Sequence, residues 1–208
     1  GQEVTFGQSA TFTVEIAEGY SAKELSVKAN GMEIEPAEGI YTIPAVTENV
    51  QITVSGVVDM TAPKTQIAVD ANAWKEFLHT ITFGLFFNKT QNVTITAEDA
   101  GSGVKDVAYF VSDKALTLEE VKAMDDWSTY TGKFGIVPDA QVVIYAKASD
   151  HAGNVRYISS DGIVLDSVIP SVVGIEDGGT YEGEVTVKVS DTSIESITVN
   201  GKITSPYS

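Results

Sequence analysis

The stretch that decides the fold is residues 92–110, NVTITAEDAGSGVKDVAYF. In its first half, Val93, Ile95 and Ala97 alternate with polar residues, which is the pattern of a strand with one buried face. The small residues AGSG at 100–103 then favour a tight turn, and a second extended run begins at Val104. The stretch therefore predicts a strand, a turn and a second strand.

A similar arrangement occurs in residues 141–158, QVVIYAKASDHAGNVRYI. Here a strand-like run ends at Asp150, the residues AGN at 152–154 favour a turn, and an extended run resumes at Val155. Because both turns place Asp before Gly between β-rich runs, the two pairs of strands predict a single β-sandwich.

The flanking residues are also rich in short β patterns. Residues 1–58 contain several such runs separated by turn residues, and Asn30-Gly31 predicts a hairpin with a type I′ turn. Residues 168–208 resemble this region internally, because both contain an alternating strand and a later strand that ends in Asn-Gly. The sequence therefore predicts an all-β chain of tandem β-sandwich modules.

Two proline-containing joints, DMTAP at 59–63 and DSVIP at 166–170, follow apolar runs and interrupt the strand pattern. The segment between them has the size of an immunoglobulin-like sandwich, about 100 residues. We therefore expect a small all-β module at 1–58, a linker at 59–63, an immunoglobulin-like β-sandwich at 64–166, and a small or partial all-β module at 167–208.

Within the central sandwich, one short helix is predicted near residues 117–124, where Thr117 and Glu120 have the spacing of a capping box. Residues 71–80, ANAWKEFLHT, fit either one helical turn or an irregular cover. Residues 79–87, HTITFGLFF, are predicted to form a strand.

Composition excludes several classes of protein. The 208 residues include 29 Asp and Glu against 13 Lys and Arg, a formal net charge of -16, so nucleic acid and anionic membranes would be repelled. The chain has no cysteine, which excludes disulfides, thiolate metal sites and a Cys nucleophile. No apolar run reaches the length of a membrane span. Because residue 1 falls within a strand-like pattern, we expect a segment of a longer polypeptide.

Residues 98–104, EDAGSGV, residues 149–155, SDHAGNV, and the two D-x-x-x-P joints resemble the bacterial immunoglobulin-like (Big-type) repeat modules of Gram-positive cell-surface proteins. The resemblance implies an extracellular location, secreted or attached to the cell wall, and a role as stalk, spacer or adhesive unit. It also implies partners among host or bacterial glycans, surface proteins and adjacent domains of the same chain. Such modules also accompany carbohydrate-active catalytic domains.

In the immunoglobulin topology the two Asp-containing loops would lie at the same end of the sandwich. Asp99, Asp150 and Asn154 would then approach one another with oxygen atoms of the kind that calcium prefers. The same side chains also satisfy backbone amides in tight turns, so both interpretations stay open. A second cation hypothesis places an ion at the joints beside Asp59 or Asp166, with a simple strand-ending turn as its alternative.

Aromatic side chains are the candidates for ligand contact, because their faces stack on sugars and dominate binding hot spots. The residues in question are Trp74, Trp127 and Tyr130, and their alternative role is in the core, since sandwiches commonly bury a tryptophan.

No catalytic residues are predicted. The sequence shows no G-x-S-x-G elbow and no phosphate-binding loop, and two histidines without cysteine do not make a zinc site. We therefore expect a non-catalytic segment with no cofactor other than the calcium ion considered above. The alternative function is a carbohydrate-binding module that accompanies a secreted glycosidase.

Overall fold

The structure is a computed structural model that describes residues 3–191, 194, 196–200 and 202–204. This part of the chain contains 21 strands and one short helix, so the all-β prediction is confirmed. The strands, numbered in chain order, are β1 (Ala10–Phe12), β2 (Tyr20–Ser21), β3 (Ser26–Ala29), β4 (Met32–Glu33), β5 (Tyr41–Ile43), β6 (Ile52–Ser55), β7 (Val58–Asp59), β8 (Lys64–Val69), β9 (Asn72–Trp74), β10 (Leu85–Phe87), β11 (Gln91–Glu98), β12 (Val104–Ser112), β13 (Ser128–Thr129), β14 (Phe134–Ile136), β15 (Ala140–Asp150), β16 (Val155–Ser159), β17 (Ile163–Leu165), β18 (Ser171–Val173), β19 (Lys188–Ser190), β20 (Ile197–Val199) and β21 (Lys202–Thr204). The helix is α1 (Leu118–Lys122).

The chain forms two compact units. Unit 1 contains Gly1–Pro63 together with Glu98–Lys105 and Ser149–Val155, which are the two Asp-containing turns. Unit 2 contains Lys64–Ala97, Asp106–Ala148 and Arg156–Ser208. The division into three modules and a linker remains a prediction.

The β-sandwich is built from two sheets. One has the strand order β10-β17-β15-β12-β13, with β16 also paired to β15, and the other has the order β14-β11-β8-β9. Their facing side chains form one buried core that contains Ile67, Val69, Val93 and Ile95 from the second sheet and Val142, Ile144, Ala146, Ile158, Ile163 and Leu165 from the first. Alternation of buried and more exposed residues in β8 and β11 produces this arrangement.

The central strand β15 is buried on both faces. Val142, Ile144 and Ala146 face the sandwich core, whereas Val143 and Tyr145 belong to a second buried cluster with Val121 of α1. Phe77, Ile81, Phe83, Leu116, Phe110, Trp127 and Tyr157 pack against that second cluster. A strand covered on both faces needs a continuous apolar run, which the sequence VVIYA supplies.

The short helix is confirmed at the predicted position. Thr117 is its N-cap: the Thr117 side chain accepts from the backbone N–H of Glu120 at 3.3 Å, and Glu120 Oε2 accepts from the backbone N–H of Thr117 at 2.8 Å. Both arms of the predicted capping box are therefore formed, and Val121 is fully buried.

Residues 71–87 match the sequence prediction only in part: the irregular cover, one of the two alternatives for residues 71–80, is present, but a strand precedes it and the strand predicted at 79–87 is shorter. Asn72–Trp74 form β9, which pairs antiparallel with β8 after Asp70 adopts a φ of +50°. Of the strand predicted at 79–87, only Leu85–Phe87 is extended, because Phe83 has a φ of +50° and breaks the run. Between these strands the chain is irregular, and its apolar side chains cover the second cluster.

The two Asp-containing turns connect their strands differently. β11 and β12, on either side of the AGSG turn, belong to different sheets, so this turn is an arch between the sheets rather than a hairpin. β15 and β16, on either side of the second turn, pair directly within one sheet.

Unit 1 contains smaller sheets, ordered β1-β5, β2-β7 and β4-β3-β6. Val27, Ala29 and Tyr41 are its buried hydrophobic residues within the described part of the chain. Asn30 and Gly31 have φ values of +46° and +82°, as the predicted type I′ turn between β3 and β4 requires.

In the C-terminal region, β18 pairs with β19, and β20 pairs with β21. Asn200 has a φ of +50° in the turn between β20 and β21, while Gly201, the second residue of the predicted Asn-Gly turn, lies outside the described residues. Among the residues that the structure describes, no helix is long and apolar enough to span a membrane.

Candidate functional site

Three aspartates from separate parts of the chain come together in unit 1. Asp59 ends β7, Asp99 begins the arch after β11, and Asp150 ends β15. One carboxylate oxygen of each lies within 4.8 Å of the others. We call this group the three-aspartate cluster. It unites two hypotheses drawn from the sequence, since Asp99 and Asp150 belonged to the loop hypothesis and Asp59 to the hypothesis of an ion at the joints.

Asp59 connects its own turn to the arch. Its side chain is 6% exposed, and Oδ1 accepts from the backbone N–H of Thr61 at 3.0 Å and from the Thr61 hydroxyl at 2.7 Å. Oδ2 accepts from the backbone N–H of Ser102 at 2.8 Å. The bonds from Thr61, followed by the bond from Ser102, lower the pKa of Asp59 to about 2.

Asp99 organises the arch itself. Its Oδ1 accepts from the backbone N–H groups of Gly101 at 3.1 Å and Gly103 at 2.7 Å. A Cβ at residue 101 would lie 2.2 Å from Oδ2 of Asp59, so only glycine permits the close approach of that carboxylate. Gly103 has a φ of +80°, which also favours glycine.

Asp150 is 1% exposed and is held by Asn154, whose backbone N–H donates to Oδ1 at 2.8 Å and whose Nδ2 donates to Oδ2 at 2.7 Å. Burial acts to raise the pKa of Asp150, but the hydrogen bonds from Asn154, Gly153 and Ser102 together outweigh it and bring the pKa below its ordinary value.

Asn154 acts as a donor in this site. Besides Asp150, its Nδ2 donates to the backbone carbonyl oxygens of Asp59 at 3.1 Å and Thr61 at 3.2 Å. The sequence interpretation assigned Asn154 an oxygen ligand for calcium. In the structure its amide nitrogen is the atom that faces the other residues of the site, and the third carboxylate comes from Asp59.

The hydrogen bonds bear on the chemistry of the cluster. Because hydrogen bonds hold the pKa values of Asp59 and Asp150 below the ordinary range, both carboxylates are ionised at neutral pH and neither is suited to act as a general acid. Calcium prefers six to eight oxygen ligands, whereas these carboxylates already accept bonds from backbone N–H groups, a hydroxyl and an amide. The contacts are those expected of aspartates that stabilise turns.

The other joint residue, Asp166, lies in unit 2 and outside the three-aspartate cluster. Its Oδ1 accepts from the backbone N–H of Val168 at 3.0 Å, and its own N–H donates to the carbonyl of Phe87 at 2.8 Å. These contacts are those of a turn at the end of a strand.

The three aromatic candidates do not form one surface. Trp74 and Tyr130 pack against the sandwich core, and the Tyr130 hydroxyl accepts from the backbone N–H of Ile95 at 3.0 Å. Trp127 packs instead against the second cluster, and its Nε1 donates to the carbonyl of Met124 at 2.8 Å. The ammonium of Lys147 lies over the Trp127 ring, 4.3 Å from its centroid.

Sequence reasoning missed Ser102 as the residue that joins two of the turns. Its backbone N–H donates to Asp59, and its hydroxyl accepts from the backbone N–H of Ala152 at 3.2 Å. No motif marks such a residue, because its partners lie 43 and 50 positions away. Asp59 and Thr61, by contrast, carry a local signal, since Asp-x-Thr is a spacing at which an aspartate accepts from the amide two residues on.

No protein-family model matches this chain, and no curated protein matches it in sequence.

Proposed function

We propose that this chain is a non-catalytic spacer in a secreted or cell-wall-attached bacterial surface protein, where it holds a binding or catalytic region away from the cell. The observation that supports this proposal is that hydrogen bonds at the three-aspartate cluster join segments that are far apart in the sequence. The segment at Asp59 and Thr61 is bonded to Ser102 in one turn and to Asn154 in the other.

These contacts support a mechanical role because they act over long sequence separations. The bond from Asn154 Nδ2 to the Asp59 carbonyl joins residues 95 positions apart, and the Ser102 bond joins residues 43 positions apart. A force that extends the chain must break such bonds before the intervening residues can lengthen. Spacers need this kind of resistance, whereas neither catalysis nor ligand release requires it.

Single-molecule force spectroscopy of the whole chain tests the proposal. We expect Asn154→Ala to lower the unfolding force of one step, because it removes the donor to three acceptors. Asn88→Ala, at an exposed position in unit 2, is the matched control and should leave the forces unchanged. Extension of the unmodified chain without a resolvable force peak would contradict a mechanical role.

The cellular location is tested separately. If the intact gene is expressed in a Gram-positive host, antibodies against this segment should label cells that have not been permeabilised. Label that appears only after permeabilisation would exclude the surface location.

A carbohydrate-binding module is the second candidate, and one observation favours it. Trp127 is only partly buried, and Tyr157 lies beside it with ring centroids 6.1 Å apart, so aromatic surface and the Lys147 ammonium occur together. A sugar that stacks on this ring would have to displace Lys147.

A glycan array separates the two candidates. The spacer role predicts no retained glycan, whereas a carbohydrate-binding module predicts a saturable signal that Trp127→Ala abolishes. Trp74→Ala is the control, because Trp74 packs against the other core.

A further inference from the structure

Unit 2 contains a small cavity between the irregular segment that follows β9 and the residues at the start of α1. Its volume is about 180 Å³. His79 and Thr117 are the polar residues of its lining. The other lining residues are apolar and come from both segments: Phe77, Leu78, Ile81, Ala115, Leu116 and Leu118.

Hydrogen bonds to fully buried side chains hold both walls of this cavity in place. On one wall the backbone N–H of Leu78 donates to the Ser159 hydroxyl at 2.9 Å. On the other wall the backbone N–H of Leu116 donates to the Tyr145 hydroxyl at 2.6 Å. The ring of Phe77 also packs on Tyr145, with centroids 6.1 Å apart. Because β15 and β16 fix both walls, the cavity is preformed, as most sites for small molecules are.

The size and the lining of the cavity indicate which ligand fits. Sites for drug-sized ligands usually have about 300–1,000 Å³, so a ligand here must be smaller. A cavity of about 150 Å³ lined by Leu, Ile and Phe binds benzene, so this cavity suits a single aromatic ring. The hydroxyl and the backbone N–H of Thr117 both donate to Glu120, so neither donor is free for a ligand. A ring inside would therefore gain mainly from contact with half-buried apolar side chains such as Leu116 and Leu118.

His79 adds one polar group at the mouth of the cavity. Its side chain is exposed, and its ring meets that of Phe77 edge-on, with centroids 5.9 Å apart. Among the residues that the structure describes, no side chain or backbone group forms a hydrogen bond with the His79 ring. A neutral imidazole has one donor and one acceptor nitrogen, so His79 can bond a hydroxyl group that is attached to a bound ring.

We propose that this cavity binds a small phenol, with the aromatic ring among the apolar side chains and the hydroxyl group at the mouth, bonded to His79. In this orientation the ring position opposite the hydroxyl lies at the inner end of the cavity. A tyrosine side chain of another protein carries its peptide chain at that position, so it would not fit in the same way. The ligand is therefore a free small molecule. This binding activity goes beyond the spacer role and does not depend on it.

The test is a titration of the whole chain with phenol, followed by NMR of the side-chain methyl groups. We expect saturable shifts at Ile81, Leu116 and Leu118, which line the cavity. Benzene, which lacks the hydroxyl group, should produce shifts at the same methyl groups but bind roughly fivefold more weakly. N-acetyltyrosinamide, which carries the same phenol on a peptide group, should bind more weakly than phenol.

Two pairs of variants locate the site. His79→Ala should lower the affinity for phenol roughly fivefold and leave that for benzene unchanged, whereas His151→Ala, at the other exposed histidine, should change neither. Ala115→Leu should abolish binding of both ligands because the larger side chain fills the cavity, whereas Ala123→Leu, at an exposed position outside the lining, should not. Circular dichroism checks that each variant is folded, and the His79 pair remains informative if Ala115→Leu does not fold.

Several results would overturn the proposal. Shifts that do not saturate, or equal losses for Ala115→Leu and Ala123→Leu, would show that phenol does not occupy this cavity. Equal affinities for phenol and benzene that His79→Ala leaves unchanged would exclude the bond at the mouth. Tighter binding of N-acetyltyrosinamide than of phenol would assign the cavity to a tyrosine side chain of another protein instead.

Discussion

At the scale of single residues, the three-aspartate cluster depends on a few side chains whose positions are restricted by hydrogen bonds and close contacts. Asp59 is hydrogen-bonded to Thr61 and Ser102, and its carboxylate fits only because residue 101 is glycine. Both features give predictions that can be tested without a ligand.

The first prediction concerns pH. The pKa of Asp59 is lowered from 3.8 to about 2 in the folded chain, so its ionised form stabilises the fold above pH 4, and this contribution is lost as pH falls through about 2. We expect Asp59→Asn to be less stable than the unmodified chain at neutral pH, with the difference shrinking between about pH 4 and pH 2. Urea unfolding of both proteins at a series of pH values measures this difference in the free energy of unfolding.

The exposed residue Asp126 supplies the control, because Asp126→Asn makes the same chemical change away from the cluster. A difference between Asp59→Asn and the unmodified chain that is constant across this pH range would contradict the assigned role of the Asp59 carboxylate.

The second prediction concerns Gly101. An added Cβ would lie 2.2 Å from Asp59 Oδ2, so Gly101→Ala must displace the carboxylate and weaken its bond to Ser102. We expect a loss of about 1–3 kcal/mol in the free energy of unfolding, as for other overpacked sites. The loss should be smaller when Asp59 is also changed to Ala, since the clash is then removed.

Gly84→Ala is the control for this change, because its added Cβ would meet Thr82 Oγ1 at 3.4 Å, an ordinary contact. Equal losses for Gly101→Ala with and without Asp59 would show that the clash is not the cause.

At the scale of secondary-structure elements, β15 and α1 determine how the second cluster is covered. Tyr145 on β15 is fully buried, and its hydroxyl accepts from the backbone N–H of Leu116 at 2.6 Å, close to the start of the helix. Burial raises the pKa of Tyr145, so its hydroxyl stays protonated at neutral pH. The helix therefore begins where the capping box and the Tyr145 hydroxyl both form hydrogen bonds with backbone groups.

The third prediction tests the helix cap. Thr117→Ala removes the side chain that accepts from Glu120 N–H, and we expect a loss of about 0.5–2 kcal/mol in the free energy of unfolding. Denaturant unfolding followed by tryptophan fluorescence is suitable, because Trp127 packs against the same cluster as Val121. Thr96→Ala, at an exposed position of β11, should cost less. A smaller loss for Thr117→Ala than for Thr96→Ala would argue against the cap as a source of stability.

At the scale of the whole molecule, one melting experiment distinguishes two effects of added salt. These are the screening of the net charge of -16 and the binding of calcium by the three-aspartate cluster. Excess negative charge destabilises a compact chain through self-repulsion, which salt screens. The fourth prediction is that the melting temperature rises when NaCl is increased from about 10 mM to about 200 mM.

Because each carboxylate of the cluster accepts hydrogen bonds within the turns, we expect CaCl₂ at matched ionic strength to raise the melting temperature no further than NaCl. A larger rise with calcium that Asp99→Asn abolishes would show instead that the cluster binds the ion. No change with either salt would contradict the electrostatic argument.

Local patterns in the sequence were enough to predict several elements. Alternation predicted β11, the Thr117–Glu120 spacing predicted α1, and the Asn30-Gly31 turn was predicted from residues that tolerate positive φ. Each of these signals arises from contacts between residues close in the chain, so the sequence displays them directly.

Residues 71–87 could not be predicted in the same way. Trp74 and Phe77 have helical spacing, yet Asn72–Trp74 pair with β8 and the following residues cover the second cluster. Tertiary packing overrode the local pattern here, because burying these apolar side chains against β15 stabilises the chain more than one isolated helical turn would.

By itself, then, the sequence determined that this protein is an all-β sandwich with one capped helix, since strand alternation and capping depend on neighbours in the chain. The tertiary structure alone decided that NVTITAEDAGSGVKDVAYF crosses between two sheets and that its Asp99 lies beside Asp59 and Asp150. Those relations depend on hydrogen bonds between residues 43 to 95 positions apart, and no local pattern encodes such partners.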